Sequence, residues 1–305
     1  MSLRDRVRNF RLYYKRDTID LYRAAFTNYT KAWWFPFFGS GEFFPRNGLP
    51  SVTIPRERWP MLAMASKLVL MGASPRWTSN ALHVSFGDLG LMAPPSARLV
   101  ATSLQGIFLD DVWRMNQVDL RGKTVIDIGA YIGDSSVAYA LRGARVHAFE
   151  PLPGFQEYLR ENARLNHVEN LITTHPVGLS DRDELITESG RLAEMASLGH
   201  GEGVRRSAAG EPESAIKLVD AISYFRGHGI GTIDVLKLNC EGCEYALFKD
   251  STILDYLRPK HVVMEFHQGG DRLFKFLTDH GYDVDWPGAD ERPKKGKLFA
   301  RRGSL

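Results

Sequence analysis

Short apolar segments alternate with amphipathic segments along the chain from residue 124 onward. Apolar runs between turn residues are typical of buried strands, and apolar positions three and four residues apart are typical of helices. The pattern predicts helices at 155–166 and 271–280. It predicts strands at 124–128, 145–149, 171–177, 233–238, 261–266, 282–286 and 297–301. Because strand–helix alternation implies crossover connections, we expect an α/β fold with a doubly wound, mostly parallel sheet.

The pattern is less regular before residue 120. Apolar residues at helical spacing predict a helix over 1–30, and Gly and Pro breakers around an aromatic run predict a loop at 33–38. Alternating apolar residues predict a strand at 82–86, followed by a turn. Residues 99–118 are predicted to be helical.

The N-terminal fifth also differs from the rest in composition. Residues 1–60 hold 11 Lys/Arg, 5 Asp/Glu and 14 of the 34 aromatic residues, whereas the whole chain of 305 residues has a net charge of +3. We therefore expect an N-terminal helical, aromatic-rich extension at 1–96 and a globular domain at 97–305. No apolar run reaches the roughly 18 residues of a membrane span, and two cysteines are too few for a disulfide framework. No secretory signal is visible, so we expect a cytoplasmic protein, with peripheral contact at the inner membrane face as an alternative.

A glycine motif directly follows the first strand of the regular region: Asp127-Ile128-Gly129-Ala130-Tyr131-Ile132-Gly133-Asp134. Glycines permit a sharp turn and a close approach to a ligand. Glu150 ends the next strand, where an acid can accept hydrogen bonds from a ribose diol. The motif lacks the dinucleotide and Walker spacings, and Asp127 would repel a pyrophosphate. S-adenosylmethionine, which carries an ammonium group and a ribose, suits these residues.

Four segments together resemble the FkbM family of class I S-adenosylmethionine-dependent methyltransferases. The resemblance covers about 97–300 and implies a seven-stranded, Rossmann-like sheet with its last strand antiparallel, and O-methylation as the reaction. The segments are TVIDIGAYIGDSSVAYALRGARVHAFEP at 124–151, LRENARLN at 159–166, DVLKLNCEGCEY at 234–245 and VMEFH at 263–267.

The resemblance also implies which residues hold the cofactor. Gly129 and Gly133 would line the methionine part, Asp127 would orient its polar end, and Glu150 would hold the ribose hydroxyls. Residues 177–179 would border the adenine. The full set of predicted cofactor residues is Asp127, Gly129, Ala130, Tyr131, Gly133, Asp134, Glu150, Pro151, Val177, Gly178 and Asn239.

The acceptor side follows the fourth and fifth strands. Methyl transfer to a hydroxyl gains most from positioning and also benefits from a nearby base. Glu241, Glu265 and His267 are the candidate catalytic residues, and a purely structural role is the alternative for Glu241 and for His267. Asn239 stands where the family usually has an acid. We therefore expect no metal-assisted deprotonation through that position.

Cys240 and Cys243 form a Cys-x-x-Cys pair beside these acids. We expect them to be small buried residues near the cofactor. A redox pair with a lowered thiol pKa is one alternative. A zinc site is another, but the sequence has no second cysteine pair to complete it.

The basic, aromatic N-terminus has three interpretations. It could cap the acceptor pocket, lie on a membrane surface, or bind RNA together with the basic stretch at 292–302. We expect a small-molecule or glycan acceptor, including a lipid-linked glycan. The alternatives are an RNA or protein methyltransferase, or a non-catalytic protein that kept the fold. No Asp/Asn-Pro-Pro-Tyr motif follows the fourth strand, which argues against N-methylation of a base.

Overall fold

The computed structural model describes residues 16–38, 41–186 and 216–303. The chain divides into two compact units, Met1–Asp110 and Asp111–Leu305; the sequence placed this boundary between residues 96 and 97. Of the helix predicted over 1–30, residues 1–15 lie outside the described residues, and Arg16–Ala25 is α-helical in the rest. Residues 199–210, which are rich in glycine, also lie outside the described residues. Among the described helices, none is long and apolar enough to cross a membrane.

The first unit combines helices with two small antiparallel sheets. Its helices are α1 (Arg16–Ala25), α2 (Lys31–Phe38), α3 (Leu62–Leu70) and α4 (Val100–Leu104). Its strands are β1 (Glu42–Phe43), β2 (Val52–Thr53), β3 (Ser74–Trp77), β4 (Leu82–Phe86) and β5 (Leu89–Ala93). The prediction of a strand at 82–86 is confirmed, and β4 pairs with both β3 and β5.

Two predictions in this unit are wrong in part. The predicted aromatic loop at 33–38 belongs to helix α2, because Ala32 and Phe35 turn inward and Phe35 packs edge-on against Phe43 at 5.4 Å. The predicted helix at 99–118 is α-helical only in α4 and then passes through a π-helical turn. It ends where the Asp111 carboxylate accepts the N–H groups of Met115 and Asn116.

The second unit is built on a seven-stranded sheet. Its strands are β6 (Thr124–Ile128), β7 (Arg145–Phe149), β8 (Ile172–His175), β12 (Val235–Leu238), β13 (His261–Phe266), β14 (Tyr282–Asp285) and β15 (Gly296–Arg302). The strand order is β14-β15-β13-β12-β6-β7-β8, and only β15 runs antiparallel to its neighbours. The predicted doubly wound sheet with an antiparallel last strand is therefore confirmed.

Helices and a small second sheet surround this sheet. The helices are α5 (Asp134–Leu141), α6 (Pro153–Leu165), α7 (Ala221–Gly227), α8 (Cys243–Leu247), α9 (Thr252–Leu257) and α10 (Asp271–Asp279). The second sheet, absent from the sequence prediction, consists of β9 (Gly178–Ser180), β10 (Glu184–Ile186) and β11 (Ile216–Asp220).

The main core lies under the central strands. Leu236, Leu238, Val262 and Met264 belong to one buried cluster, with exposures of 0%. All four residues of β12 are buried, as is typical of a strand covered on both faces. Because β6 and β12 are neighbours, their carboxyl ends and the loops that follow lie side by side.

Candidate active site

The loop between β6 and α5 takes three left-handed residues to turn from strand to helix. Gly129, Tyr131 and Gly133 have φ values of 78°, 52° and 84°. The N–H groups of Gly129 and Ala130 both donate to the Phe149 carbonyl at 3.0 Å. A Cβ on Gly129 would lie 2.0 Å from the carbonyl oxygen of Asn239. The close approach predicted for this glycine is therefore made to the neighbouring loop of the protein itself.

Glu150 holds this loop from the end of β7. Its carboxylate accepts the N–H of Tyr131 and the N–H of Leu152, each at 2.9 Å. The side chain is buried, and this burial outweighs the two N–H groups and nearby Lys237 and raises the pKa of Glu150 to about 7. The acid predicted to hold the ribose thus also shapes the glycine loop.

Asp127 is fully buried at the last-but-one position of β6. One oxygen pairs with the Lys237 ammonium at 2.7 Å, and the other accepts the hydroxyls of Ser135 and Ser136 at 2.7 Å each. Lys237 also donates to the Gly129 carbonyl at 3.2 Å. The carboxylate predicted to orient the cofactor is therefore engaged by the protein and ties β6, β12 and α5 together.

Lys237 is a residue that the sequence reasoning missed. A lysine in the middle of an apolar strand was the available signal, because a charge is buried only with a partner. Asp127 is its register neighbour on β6.

The residues present suit a ligand with hydroxyl and ammonium donors. Each Glu150 oxygen accepts one protein hydrogen bond, and a carboxylate oxygen has room for a second. The side-chain oxygen of Asn239 is buried and accepts no hydrogen bond in the described part of the chain. Both groups follow strands at the same edge of the sheet, where open α/β sheets bind ligands. The predicted site residues Pro151, Val177 and Gly178 meet at the start of β9, where a Cβ on Gly178 would contact Pro151 at 3.6 Å.

The three candidate catalytic residues meet at the ends of β12 and β13. The His267 Nε2 atom lies 3.4 Å from the Glu241 carboxylate and 3.8 Å from that of Glu265. Its Nδ1 atom lies 3.0 Å from the carboxylate of Glu244, which is fully buried. We call Glu241, Glu244, Glu265 and His267 the acid cluster.

The two neighbouring carboxylates, Glu241 and Glu244, determine the protonation state of His267. Burial alone would lower its pKa, but hydrogen bonds and charge interactions with Glu241 and Glu244 outweigh burial and raise the pKa to about 9. His267 is therefore an imidazolium at neutral pH. An imidazolium has no lone pair to accept a proton, so in this arrangement His267 is better suited to position the carboxylates than to act as the base. The catalytic role of His267 stays a prediction.

Lysines and a tryptophan border the acid cluster. Lys297 lies 3.6 Å from Glu265, and Lys295 lies 3.7 Å from Glu241. The ammonium groups of Lys237 and Lys297 lie 5.1 Å and 5.5 Å from the centre of the Trp113 ring, within range of cation–π attraction. Trp113, which the sequence reasoning also missed, thus connects the strand of the Asp127 pair with the acid cluster.

The cysteine pair forms a disulfide between Cys240 and Cys243. The sequence predicted two small buried residues, whereas both cysteines are half-buried and their sulfurs are bonded, with Cα atoms 5.5 Å apart, a normal disulfide separation. Within the described residues, Cys240, Cys243 and Glu244 are the group whose ligand atoms could surround a metal ion. With the sulfurs bonded to each other, the pair offers no thiolate ligand.

Three comparisons relate this chain to known proteins. The family model for the methyltransferase FkbM domain matches residues 127–284. A search of curated proteins finds no significant match. Similar solved structures include magnesium protoporphyrin IX methyltransferase from Synechocystis PCC 6803 with bound SAM, with 14% identity over 67% of this chain and 82% of that chain and a TM-score of 0.39. Another is P. horikoshii TYW2 in complex with MeSAdo, with 14% identity over 82% of this chain and 85% of that chain and a TM-score of 0.43.

The family match runs from Asp127, before the glycine loop, to Val284 in β14, and so covers more than half of the 305 residues. It includes Glu150, the Cys240–Cys243 loop and the acid cluster. It confirms the family that the sequence resembled and, with it, S-adenosylmethionine as the methyl donor. The chain belongs to the FkbM methyltransferase family.

Proposed function

We propose that this methyltransferase transfers its methyl group to a hydroxyl of a sugar, a glycan, a lipid-linked glycan or another small molecule. The observation that carries the proposal is the acid cluster at the sheet edge that also bears Glu150 and the glycine loop. Transfer to a hydroxyl benefits from a nearby carboxylate that can take its proton, and this edge supplies one.

On the donor side, the chain's own residues bind the cofactor and orient it. When bound, S-adenosylmethionine supplies an electrophilic methyl group. Glu150 would accept hydrogen bonds from the ribose hydroxyls, and the side-chain oxygen of Asn239 would accept one from a polar hydrogen of the cofactor. Val177 and Gly178 would border the adenine. The Asp127–Lys237 pair keeps the glycine loop in place behind these contacts. A pre-set loop reduces the entropy lost on reaching the reactive geometry.

On the acceptor side, Glu265 is the best placed proton acceptor. Its side chain is 28% exposed, against 12% for Glu241 and 0% for Glu244, and its cationic neighbours are 3.6 Å and 3.8 Å away. We therefore propose that the Glu265 carboxylate accepts the proton of the acceptor hydroxyl. Glu241 and His267 act as positioning residues, because His267 holds the carboxylates of both adjacent strand ends together.

The first test is cofactor binding by titration calorimetry. Glu150→Ala removes the ribose acceptor and should weaken S-adenosylmethionine binding by about 1–3 kcal/mol. Glu157→Ala, an exposed acid on the next helix, is the matched control and should bind normally. Unchanged affinity in the Glu150 variant would contradict the donor site. No heat with the cofactor or its demethylated product would favour a non-catalytic binding protein.

The second test identifies the acceptor. Extracts of a deletion strain are incubated with the protein and methyl-labelled cofactor, then separated into small-molecule, glycan, lipid, RNA and protein fractions. We expect label in the glycan, lipid or small-molecule fraction, and Glu265→Gln should lower turnover with cofactor affinity kept. Label in RNA or protein would support the alternative acceptors. Full turnover in the Glu265 variant would place the base elsewhere.

A further inference from the structure

The N-terminal unit places aromatic residues on both sides of one short segment. Inside, Phe26, Phe35 and Phe43 are fully buried. Phe26 and Phe35 both pack against Phe43, with ring centres 5.2 Å and 5.4 Å from its ring. Outside, Trp34 is 65% exposed, Phe44 is 47% exposed and Trp33 is 38% exposed. We call Trp33, Trp34 and Phe44 the aromatic rim.

Backbone hydrogen bonds bring the members of the rim to one turn, residues 27–30. The Thr27 N–H donates to the Phe44 carbonyl at 2.8 Å, and the Phe44 N–H donates to the Asn28 side chain at 2.9 Å. The Trp33 N–H donates to the Thr30 carbonyl at 3.2 Å. The start of α2 and the end of β1 are therefore both hydrogen-bonded to the turn at residues 27–30.

The outward direction of the rim is fixed by what lies inside. In α2, Ala32 and Phe35 are the buried positions, three residues apart, so the positions between them face away from the core. Across β1, Phe43 is buried, and Phe44 follows on the opposite face, as strand alternation requires. Turning the rim inward would require Phe35 and Phe43 to leave the core.

Basic residues lie beside the rim. The Arg46 guanidinium donates to the Arg23 carbonyl at 2.7 Å, and Arg23 lies over the Tyr29 ring at 5.5 Å. Both arginines are exposed.

We propose that the aromatic rim and its arginines bind the headgroup region of a membrane that contains anionic lipids. Tryptophan prefers the membrane–water interface because its ring is apolar and its N–H is polar. The exposed arginines beside the aromatic rim, Arg23 and Arg46, complement anionic headgroups. A symmetric contact between two copies would instead bring the arginines of both chains together. This surface lies wholly in the first unit and does not depend on the identity of the methyl acceptor.

The experiment measures co-sedimentation of the full chain with vesicles of phosphatidylglycerol and phosphatidylcholine, and with vesicles of phosphatidylcholine alone. We expect at least about tenfold stronger partitioning to the anionic vesicles and at least about a tenfold loss in the double variant Trp34→Ser, Phe44→Ser. The matched control is Leu141→Ser, an apolar residue of 49% exposure in the second unit, which should partition like the wild type. Circular dichroism checks that each variant is folded.

Three outcomes would overturn the proposal. Equal binding to both vesicle types, or none, removes the anionic surface as the partner. Binding that falls with salt but survives in the double variant would assign the contact to the basic residues without the rim. Loss of self-association in the double variant, measured by analytical ultracentrifugation and without vesicle binding in the wild type, would make a second copy the occupant. A cofactor-binding failure leaves this test unaffected, since the vesicles contain no cofactor.

Discussion

Two buried titratable groups at the ends of sheet strands respond to their surroundings in different ways. Glu150, after β7, accepts hydrogen bonds from backbone N–H groups, and burial raises its pKa to about 7. Burial also disfavours the charged form of His267, after β13, yet Glu241 and Glu244 raise its pKa to about 9. Backbone dipoles thus offset only part of the loss of water at Glu150, whereas full charges at 3.0 Å and 3.4 Å more than offset it at His267.

The comparison separates the duties of the two ends. The donor end holds a group close to its titration point, whose hydrogen-bonding capacity changes near neutral pH. The acceptor end holds fixed opposite charges, which keep the loops after β12 and β13 together. The buried Asp127–Lys237 pair joins β6 to β12, and Lys237 contacts the glycine loop at the Gly129 carbonyl.

The largest expected effect comes from breaking that central pair. Lys237→Met leaves the Asp127 carboxylate buried without its counter-charge, and we expect a loss of about 3–5 kcal/mol in the free energy of unfolding. Urea denaturation measures it. Lys249→Met, which removes a surface partner of Asp181, is the control and should cost less than about 1 kcal/mol. Adding Asp127→Asn to the Lys237 variant should recover part of the loss; no recovery would mean that the lysine acts through packing alone.

The next effect concerns the charge on His267. Because its folded pKa lies above the usual 6.5, the stabilisation is complete below pH 6.5 and is lost as the pH rises through about 9. The total is at most about 3.4 kcal/mol. Unfolding free energies from pH 8 to pH 10 measure the slope, above the range from pH 6 to pH 8 in which Glu150 titrates. His267→Gln should flatten the slope, whereas the exposed His280→Gln should keep it. The same slope in both variants would refute the assignment.

A smaller effect is expected from the disulfide. It closes a loop of four residues that contains Glu241 and Gly242, with φ values of 55° and 119°. Replacing both cysteines by serine should cost about 2 kcal/mol at most, by the loop-closure argument. Hydrogen exchange at 239–244 should speed up, while exchange in β6 stays slow. Unchanged exchange in the loop would show that the acid cluster alone holds it.

The smallest effect tests the donor end. A carboxylate can accept both ribose hydroxyls, and with a pKa of about 7 only about a tenth of Glu150 is ionised at pH 6. We therefore expect cofactor affinity to rise up to about tenfold between pH 6 and pH 8. Calorimetric titrations across this range measure it. Glu150→Gln should remove the dependence; a dependence that persists in this variant belongs to another group.

Local patterns predicted much of the second unit. Strands 124–128, 145–149 and 261–266 were predicted from apolar runs and occur at those residues. The glycine loop followed from turn chemistry, and Glu150 followed from its place at the end of a strand. Such signals depend on neighbours within a few residues, so they can be read without the tertiary structure. The helix at 31–38 could not be predicted in this way, because burial of Phe35 against Phe43 overrides its breakers.

By itself, the sequence determined the fold class, the family and the residues of the donor loop. Only the tertiary structure decided what those residues do for one another. Asp127 and Lys237 are 110 positions apart and become partners because β6 and β12 are adjacent in the sheet. His267 owes its charge to Glu241, in the loop after β12, and to Glu244, in α8, and no local pattern encodes those contacts. Charges interact through space rather than along the chain, so the sheet order sets their partners and their protonation.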